Sequence, residues 1–167
     1  MITKGLEDVL KRSPDPRVVT VSSGGMLVQK LNVEDLMFEK MSPFDGTMAY
    51  AQNKRQQVVL TERWAAEIPD IKYYAMHPGW ADTPAVRSSM PDFHRKMEGK
   101  LRTAAEGADT VVWLAVSKTA GEGKSGLFWQ DRTSVNTHLP LAFTRTSQDD
   151  EDRLGNTLKD IREKIMK

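Results

Sequence analysis

Residues 47–79 carry the pattern that decides the fold, and they read TMAYAQNKRQQVVLTERWAAEIPDIKYYAMHPG. Thr47 to Ala66 is rich in strong helix formers and has neither glycine nor proline, so it predicts a long helix that ends before Pro69. Ile71 to Met76 then predicts a strand, and Pro78-Gly79 predicts a turn after it. We expect five apolar side chains to form the inward stripe of the helix: Met48, Ala51, Val58, Val59 and Ala65.

A second strand is predicted upstream, where Arg17 to Ser22 is a short β-branched run with little alternation. Such a run is typical of a strand that is buried on both faces of a parallel sheet. The segment Gly5 to Arg12 resembles the end of a helix that prolines then break. Between the strand and the long helix we expect a loop from Met26 to Gly46, with one helical turn around Val33 to Glu39.

The pattern strand, helix, strand indicates a parallel pair joined by a crossover helix. Farther along, Thr103 to Ser117 predicts another helix, and Gly126 to Trp129 a third strand. The sequence therefore predicts an α/β fold: a partial doubly wound, Rossmann-like parallel sheet of about three strands with helices. We expect one domain over residues 1–146 and a charged helical tail over residues 147–167.

Composition excludes several functional classes. The 167 residues carry 24 Lys and Arg against 23 Asp and Glu, a balance that offers no general attraction to nucleic acid. The chain has no cysteine, which rules out disulfides, thiolate nucleophiles and Cys-ligated zinc. Its three histidines show no metal-ligand spacing, so we expect no metal site. No apolar run is long enough to span a membrane, and we expect an intracellular, cytoplasmic protein.

Residues with a chemical use converge at the predicted carboxyl edge of the sheet, where open α/β sheets bind ligands. Tyr50 and Lys54 are four residues apart and so share one face of the crossover helix. A phenol, with an ordinary pKa of about 10, becomes a useful proton carrier when a nearby cation favours its phenolate. A hydroxyl from Ser23, at the end of the adjacent strand, completes a set of groups suited to proton transfer to a carbonyl.

Four segments in this order resemble the carboxyl-terminal half of the short-chain dehydrogenase/reductase family. They are Val19-Thr-Val-Ser-Ser23, Tyr50-Ala-Gln-Asn-Lys54, His77-Pro-Gly-Trp-Ala-Asp-Thr83 and Ser125-Gly-Leu-Phe-Trp-Gln-Asp131. The interval of 27 positions between Ser23 and Tyr50 is similar to the retinol-dehydrogenase-like branch.

This resemblance implies an NAD(P)-dependent oxidoreductase, with Tyr50 as the acid/base residue and Lys54 as the group that binds the nicotinamide ribose and favours the phenolate. Ser23 would orient the substrate oxygen; the family pattern suggests Ser23 rather than Ser22. Tyr50 and Lys54, together with Pro78, Gly79 and Thr83, would line the nicotinamide side. Four apolar residues after the turn suggest a small apolar carbonyl or alcohol as substrate: Val86, Met90, Phe93 and Met97.

The chain departs from the family pattern at its amino end, where no glycine-rich turn for the cofactor pyrophosphate is found. We therefore expect the amino-terminal dinucleotide-binding half to be missing, and NAD(P) binding and activity of this chain alone to be weak or absent. The strand at Arg17 to Val21 would lack its neighbour and leave a bare edge for a partner or for a homo-oligomer. The alternative function is therefore a non-catalytic interaction module that binds through this edge.

Overall fold

The computed structural model describes residues 2–166, which form one four-stranded sheet with helices on both faces. The strands are β1 (Arg17–Val21), β2 (Lys72–Met76), β3 (Phe128–Gln130) and β4 (Thr133–Val135). The helices are α1 (Ile2–Gly5), α2 (Glu7–Leu10), α3 (Gly46–Glu67), α4 (Pro84–Ser89), α5 (Pro91–Lys96), α6 (Ala104–Val116), α7 (Lys118–Glu122) and α8 (Gln148–Ile165), and a 3-10 helix spans Gly24–Val28. The predicted α/β, partial Rossmann-like fold is confirmed.

The strand order is β1-β2-β3-β4, with β1, β2 and β3 parallel. The fourth strand, β4, was not predicted, and it runs antiparallel to β3. It has only three residues, all exposed, and it follows a turn in which Asp131 and Arg132 have φ of 51° and 58°. Because hairpin turns of this kind usually carry Asn-Gly or Asp-Gly, the pair Asp-Arg gave no turn signal.

The crossover helix α3 begins where the side chain of Asp45 accepts hydrogen bonds from the amides of Thr47 and Met48, at 2.9 and 3.0 Å. It packs on one face of the sheet, where Val58 contacts Ala75 of β2 in an apolar cluster. On the other face, Tyr74 of β2 packs with Leu114 of α6. Strand β2 is therefore covered on both faces, and its residues 73–76 are at most 1% exposed.

Three expectations need correction. Met48 is 39% exposed and lies outside the apolar clusters, whereas Ala51, Val58 and Val59 are buried as predicted. Residues 33–39 form no helical turn, because the carboxylate of Asp35 accepts hydrogen bonds from the amides of Glu39 and Lys40 and closes a loop instead. Strand β1 is only half-buried, since it lies at the edge of the sheet rather than between two neighbours.

The last helix, α8, packs against α3. Leu154 of α8 is fully buried in a cluster with Val59 of α3 and Leu31 of the loop. Arg63 of α3 adds an ion pair with Asp152 at 2.5 Å. Across residues 2–166, no helix combines the length and the apolar character that a membrane crossing requires.

Candidate active site

Strand β1 is followed by two serines with different environments. Ser22 is 2% exposed, and its hydroxyl donates to the backbone carbonyl of Lys54 at 2.9 Å. Ser23 is partly exposed and caps the 3-10 helix, with its Oγ 3.4 Å from the amide of Gly25. The Ser22 hydroxyl thus joins β1 to α3, while the Ser23 hydroxyl has one long contact and remains available.

Lys54 lies between the end of β1 and the ring of Tyr50. Its Nζ donates to the carbonyl oxygen of Val21 at 2.9 Å, and it stands 5.4 Å from the centroid of the Tyr50 ring. This is within the range of a cation–π contact. Burial lowers the pKa of Lys54, because desolvation disfavours the ammonium. Tyr50 itself is 52% exposed, so its phenol is open to a ligand.

His77 joins the end of β2 to the turn that follows Ser23. A Cβ added at Gly24 would lie 2.8 Å from Nε2 of His77, so only glycine fits there without displacing the ring. The buried Nδ1 of His77 has no hydrogen-bond partner within residues 2–166. Burial, followed by the charge of Arg102, lowers the pKa of His77 and so favours its neutral ring.

The Pro78-Gly79 turn is held by an ion pair. Gly79 has a φ of +75°, and a Cβ there would lie 2.7 Å from Cζ of Arg102. Arg102 donates to the Pro78 carbonyl at 3.3 Å and makes a two-point contact with Asp131, at 2.5 and 2.9 Å. The guanidinium of Arg102 holds the pKa of Asp131 below its usual range.

Thr83 lies on a separate segment that begins beyond the turn. Its hydroxyl caps α4 by accepting a hydrogen bond from the amide of Val86 at 3.3 Å. The segment 82–101 is closed at its base by a parallel bridge between Ala81 and Arg102. Thr83 therefore has a structural partner of its own.

Of the predicted site residues, Tyr50 and Lys54 contact each other, whereas Ser23 and the Pro78-Gly79 turn are linked to them through residues adjacent to them in the chain. The contacts of Lys54 and Ser22 bring α3 to the end of β1, and the contact of His77 with Gly24 brings the Pro78-Gly79 turn beside the serine turn. The sequence analysis missed the roles of His77 and Arg102. His77 stood next to the Pro-Gly turn, which was a usable signal, whereas Arg102 and Asp131 are 29 residues apart and their pairing had no local signal.

No protein-family model matches the chain. It is 58% identical to dehydrogenase/reductase SDR family member 12 from Homo sapiens and 56% identical to the Bos taurus protein of that name, in each case over 161 residues that cover 96% of this chain and 50% of the relative. It is also 31% identical to human retinol dehydrogenase 12 over 78% of this chain and 42% of that protein.

Among solved structures, salutaridine reductase from Papaver somniferum matches with a TM-score of 0.56 and 22% identity, over 77% of this chain and 50% of that one. This likeness supports the fold. The chain spans about half the length of the curated relatives it matches. The predicted resemblance is confirmed: this chain belongs to the short-chain dehydrogenase/reductase family and corresponds to its carboxyl-terminal half.

Proposed function

We propose that the chain carries the proton-transfer and nicotinamide-side half of an NAD(P)-dependent oxidoreductase site. The observation that supports this most is the position of Lys54, whose ammonium contacts both the last carbonyl of β1 and the ring of Tyr50. This places a cation beside an exposed phenol at the edge of a parallel sheet where ligands usually bind.

In this proposal a reduced nicotinamide held beside Tyr50 and Lys54 would supply the hydride for the substrate carbonyl carbon. Tyr50 transfers its proton to the carbonyl oxygen, so that hydride and proton together give the alcohol. The hydroxyl of Ser23 donates a hydrogen bond to the same oxygen and orients it. Lys54 binds the ribose hydroxyls and stabilises the phenolate that remains, and alcohol oxidation is the reverse of these steps.

The residues fit the nicotinamide end of the cofactor. The exposed phenol and the ammonium provide a hydrogen-bonding surface for a ribose, and Pro78, Gly79 and Thr83 would form the adjacent wall. For the pyrophosphate end, the described residues offer no Gly-x-Gly-x-x-Gly turn that leads from a strand into an α-helix. We therefore propose weak binding through the nicotinamide riboside part alone.

The proposed substrate is a small apolar carbonyl or alcohol. Trp80 follows Gly79 directly, is 47% exposed, and packs its ring 4.4 Å from that of Phe93 on α5. Met90, between α4 and α5, is 37% exposed. These side chains give the segment beyond the turn an apolar surface, which favours an apolar substrate over a charged one.

Nucleotide titration tests the proposal. We expect NADPH or NADH to quench the protein fluorescence saturably, and Lys54→Ala to weaken binding by about tenfold, or about 1.4 kcal/mol. Lys118→Ala is the matched control, because its side chain is 91% exposed on α7 and should leave affinity unchanged. If neither nucleotide binds, or if both lysine variants bind as the unchanged chain does, the proposal is wrong.

A second candidate function is supported by the edge of the sheet. Among residues 2–166, strand β1 pairs on one side only, with β2, and the last residue of the strand, Val21, is 43% exposed. An open parallel edge of this kind accepts another strand. We propose that the edge binds a partner or a second copy of the chain. Sedimentation of the chain, alone and mixed with a full-length relative, tests this proposal. A chain that stays monomeric at all concentrations and does not bind the relative would contradict it.

A further inference from the structure

Arg55 follows Lys54 on α3 and, at 1% exposed, is among the largest fully buried side chains of residues 2–166. Its guanidinium donates three hydrogen bonds to backbone carbonyls. Nε bonds to Gln29, and Nη2 bonds to Met26 and to Thr137, each at 2.8 Å. Among residues 2–166 no carboxylate lies within ion-pair distance of this guanidinium. A buried charge is costly unless its hydrogen bonds are satisfied, so these three carbonyls define what the side chain does.

Two of the three carbonyls belong to the turn that begins at Ser23. The amide of Met26 donates to the carbonyl of Ser23 at 3.3 Å, and the amide of Gln29 donates to the carbonyl of Met26 at 3.0 Å. Arg55 thus binds Met26, which is hydrogen-bonded to Ser23, and Gln29, which is hydrogen-bonded to Met26. Arg55 therefore holds the turn to α3 at its middle and at its far end.

Two neighbouring side chains, Gln52 and Thr144, also bind the backbone in or just after this turn. Gln52, one turn earlier on α3, donates to the carbonyl of Lys30 at 2.7 Å and accepts from the amide of Asn32 at 3.1 Å. From the other side, the hydroxyl of Thr144 donates to the carbonyl of Leu27 at 3.3 Å. An apolar side chain could fill the volume of Arg55, but it could not fix the direction of two backbone carbonyls, which the planar guanidinium does.

We propose that Arg55 is a positioning residue, which holds the carbonyls of Met26 and Gln29 so that the turn presents the Ser23 hydroxyl to Tyr50 and Lys54. The inference rests on the proposed function, because it assumes that these three groups act on one ligand. Arg55 touches neither of the proposed reacting groups; its effect passes through the backbone of the serine turn.

The test uses a single thiol as a reporter of the position of residue 23. The chain has no cysteine, so Ser23→Cys introduces one unique thiol whose pKa can be read from the pH dependence of its alkylation rate. A thiol has an ordinary pKa of about 8.5, and a nearby ammonium lowers it. The variants Lys54→Met, Arg55→Met, Arg55→Lys and Val111→Ala are each combined with Ser23→Cys.

We expect Ser23→Cys alone to have a thiol pKa about one unit below 8.5, and Lys54→Met to remove that difference. Both Arg55 variants should move the pKa at least about half a unit toward the Lys54→Met value. Arg55→Lys distinguishes the geometry of the guanidinium from its charge, because it keeps the positive charge and loses the planar group. It should also destabilise the fold less than Arg55→Met. Val111→Ala perturbs the opposite face of the sheet and should leave the thiol pKa unchanged.

The possible failures are distinguishable. If Lys54→Met does not change the thiol pKa, Ser23 and Lys54 do not converge, and the proposed function fails together with the inference. If Lys54→Met raises it but Arg55→Lys leaves it unchanged, the site stands and the positioning role of Arg55 is overturned. A shift of equal size in Val111→Ala would also overturn that role, because any loss of stability would then produce it.

Discussion

At the scale of single residues, two adjacent serines differ in what surrounds them. Ser22 is buried and bonds to the backbone of α3, whereas Ser23 caps a short turn through one contact of 3.4 Å. The sequence places both hydroxyls at the end of the same strand and does not separate their roles. The alternation of side chains along an extended backbone does separate them, since consecutive residues point to opposite faces.

The two serines should therefore respond differently to loss of the hydroxyl. Ser22→Ala should lower the free energy of unfolding by about 1 kcal/mol, because it removes a buried hydrogen bond and leaves the Lys54 carbonyl without it. Ser23→Ala should cost less than about 0.5 kcal/mol, since a contact of 3.4 Å is weak. Urea unfolding of the two variants measures the difference. Equal losses of stability would contradict the assignment.

At the scale of elements, the contact between α3 and α8 contains an unfavourable charge. Burial raises the pKa of Glu62 on α3 to about 7, and the charge of Glu151 on α8 adds to the rise, while Arg55 opposes it. Arg63 offsets part of the cost by donating to the carbonyl of Glu151 at 3.1 Å and by pairing with Asp152. The two helices are therefore held by apolar packing and by Arg63, against the repulsion between the two glutamates.

This arrangement predicts a pH dependence. The carboxyl of Glu62 ionises more readily in the unfolded chain than in the folded one, so the unfolded state loses its proton first and stability falls as pH rises from about 4.5 to about 7. Glu62→Gln should remove this loss and raise the free energy of unfolding by roughly 1 to 3 kcal/mol at pH 8, with little effect at pH 4.

Urea unfolding at both pH values measures the difference. Glu98→Gln is the control, because Glu98 is exposed in the segment after α5 and should change stability at neither pH. A gain for Glu62→Gln that is the same at pH 4 and pH 8 would show that the effect is not the ionisation of this carboxyl.

At the scale of the whole molecule, β2 is the most enclosed strand. It pairs with β1 on one side and β3 on the other, and its residues 73–76 are buried against both helical layers. Strand β1, by contrast, has one neighbour and ends in an exposed valine. Exposed apolar side chains also occur on α6, where Val112 and Val116 are 56% and 74% exposed. Other exposed apolar side chains lie outside β1 and α6, among them Leu141 and Phe143, which are 86% and 84% exposed.

Native-state hydrogen exchange should follow this order. The amides of β2 are expected to open only with global unfolding, while those of β1 exchange through smaller openings, about tenfold faster or more. Exchange followed residue by residue by NMR measures both. Equal protection in the two strands would indicate that the edge of β1 is covered in solution, and would support a bound partner or a second copy there.

The sequence by itself determined the long helix, the three parallel strands and their order along the chain. Three local signals were sufficient: the uninterrupted helix formers of residues 47–66, the β-branched run after Pro16 and the Pro-Gly turn. They act through backbone preferences and periodicity, which depend only on residues that are close in the chain. For the same reason, the four-residue spacing of Tyr50 and Lys54 was sufficient to place them on one helical face.

Only the tertiary structure decided which groups meet. The pairing of Arg102 with Asp131, the fit of His77 against Gly24 and the burial of Arg55 each join residues from separate segments. No local preference encodes such contacts, because their free energy depends on how the chain packs and on which groups lose water when it does. The same reason explains Met48: its apolar character predicted burial, but burial requires a neighbour, and the packed chain leaves Met48 exposed.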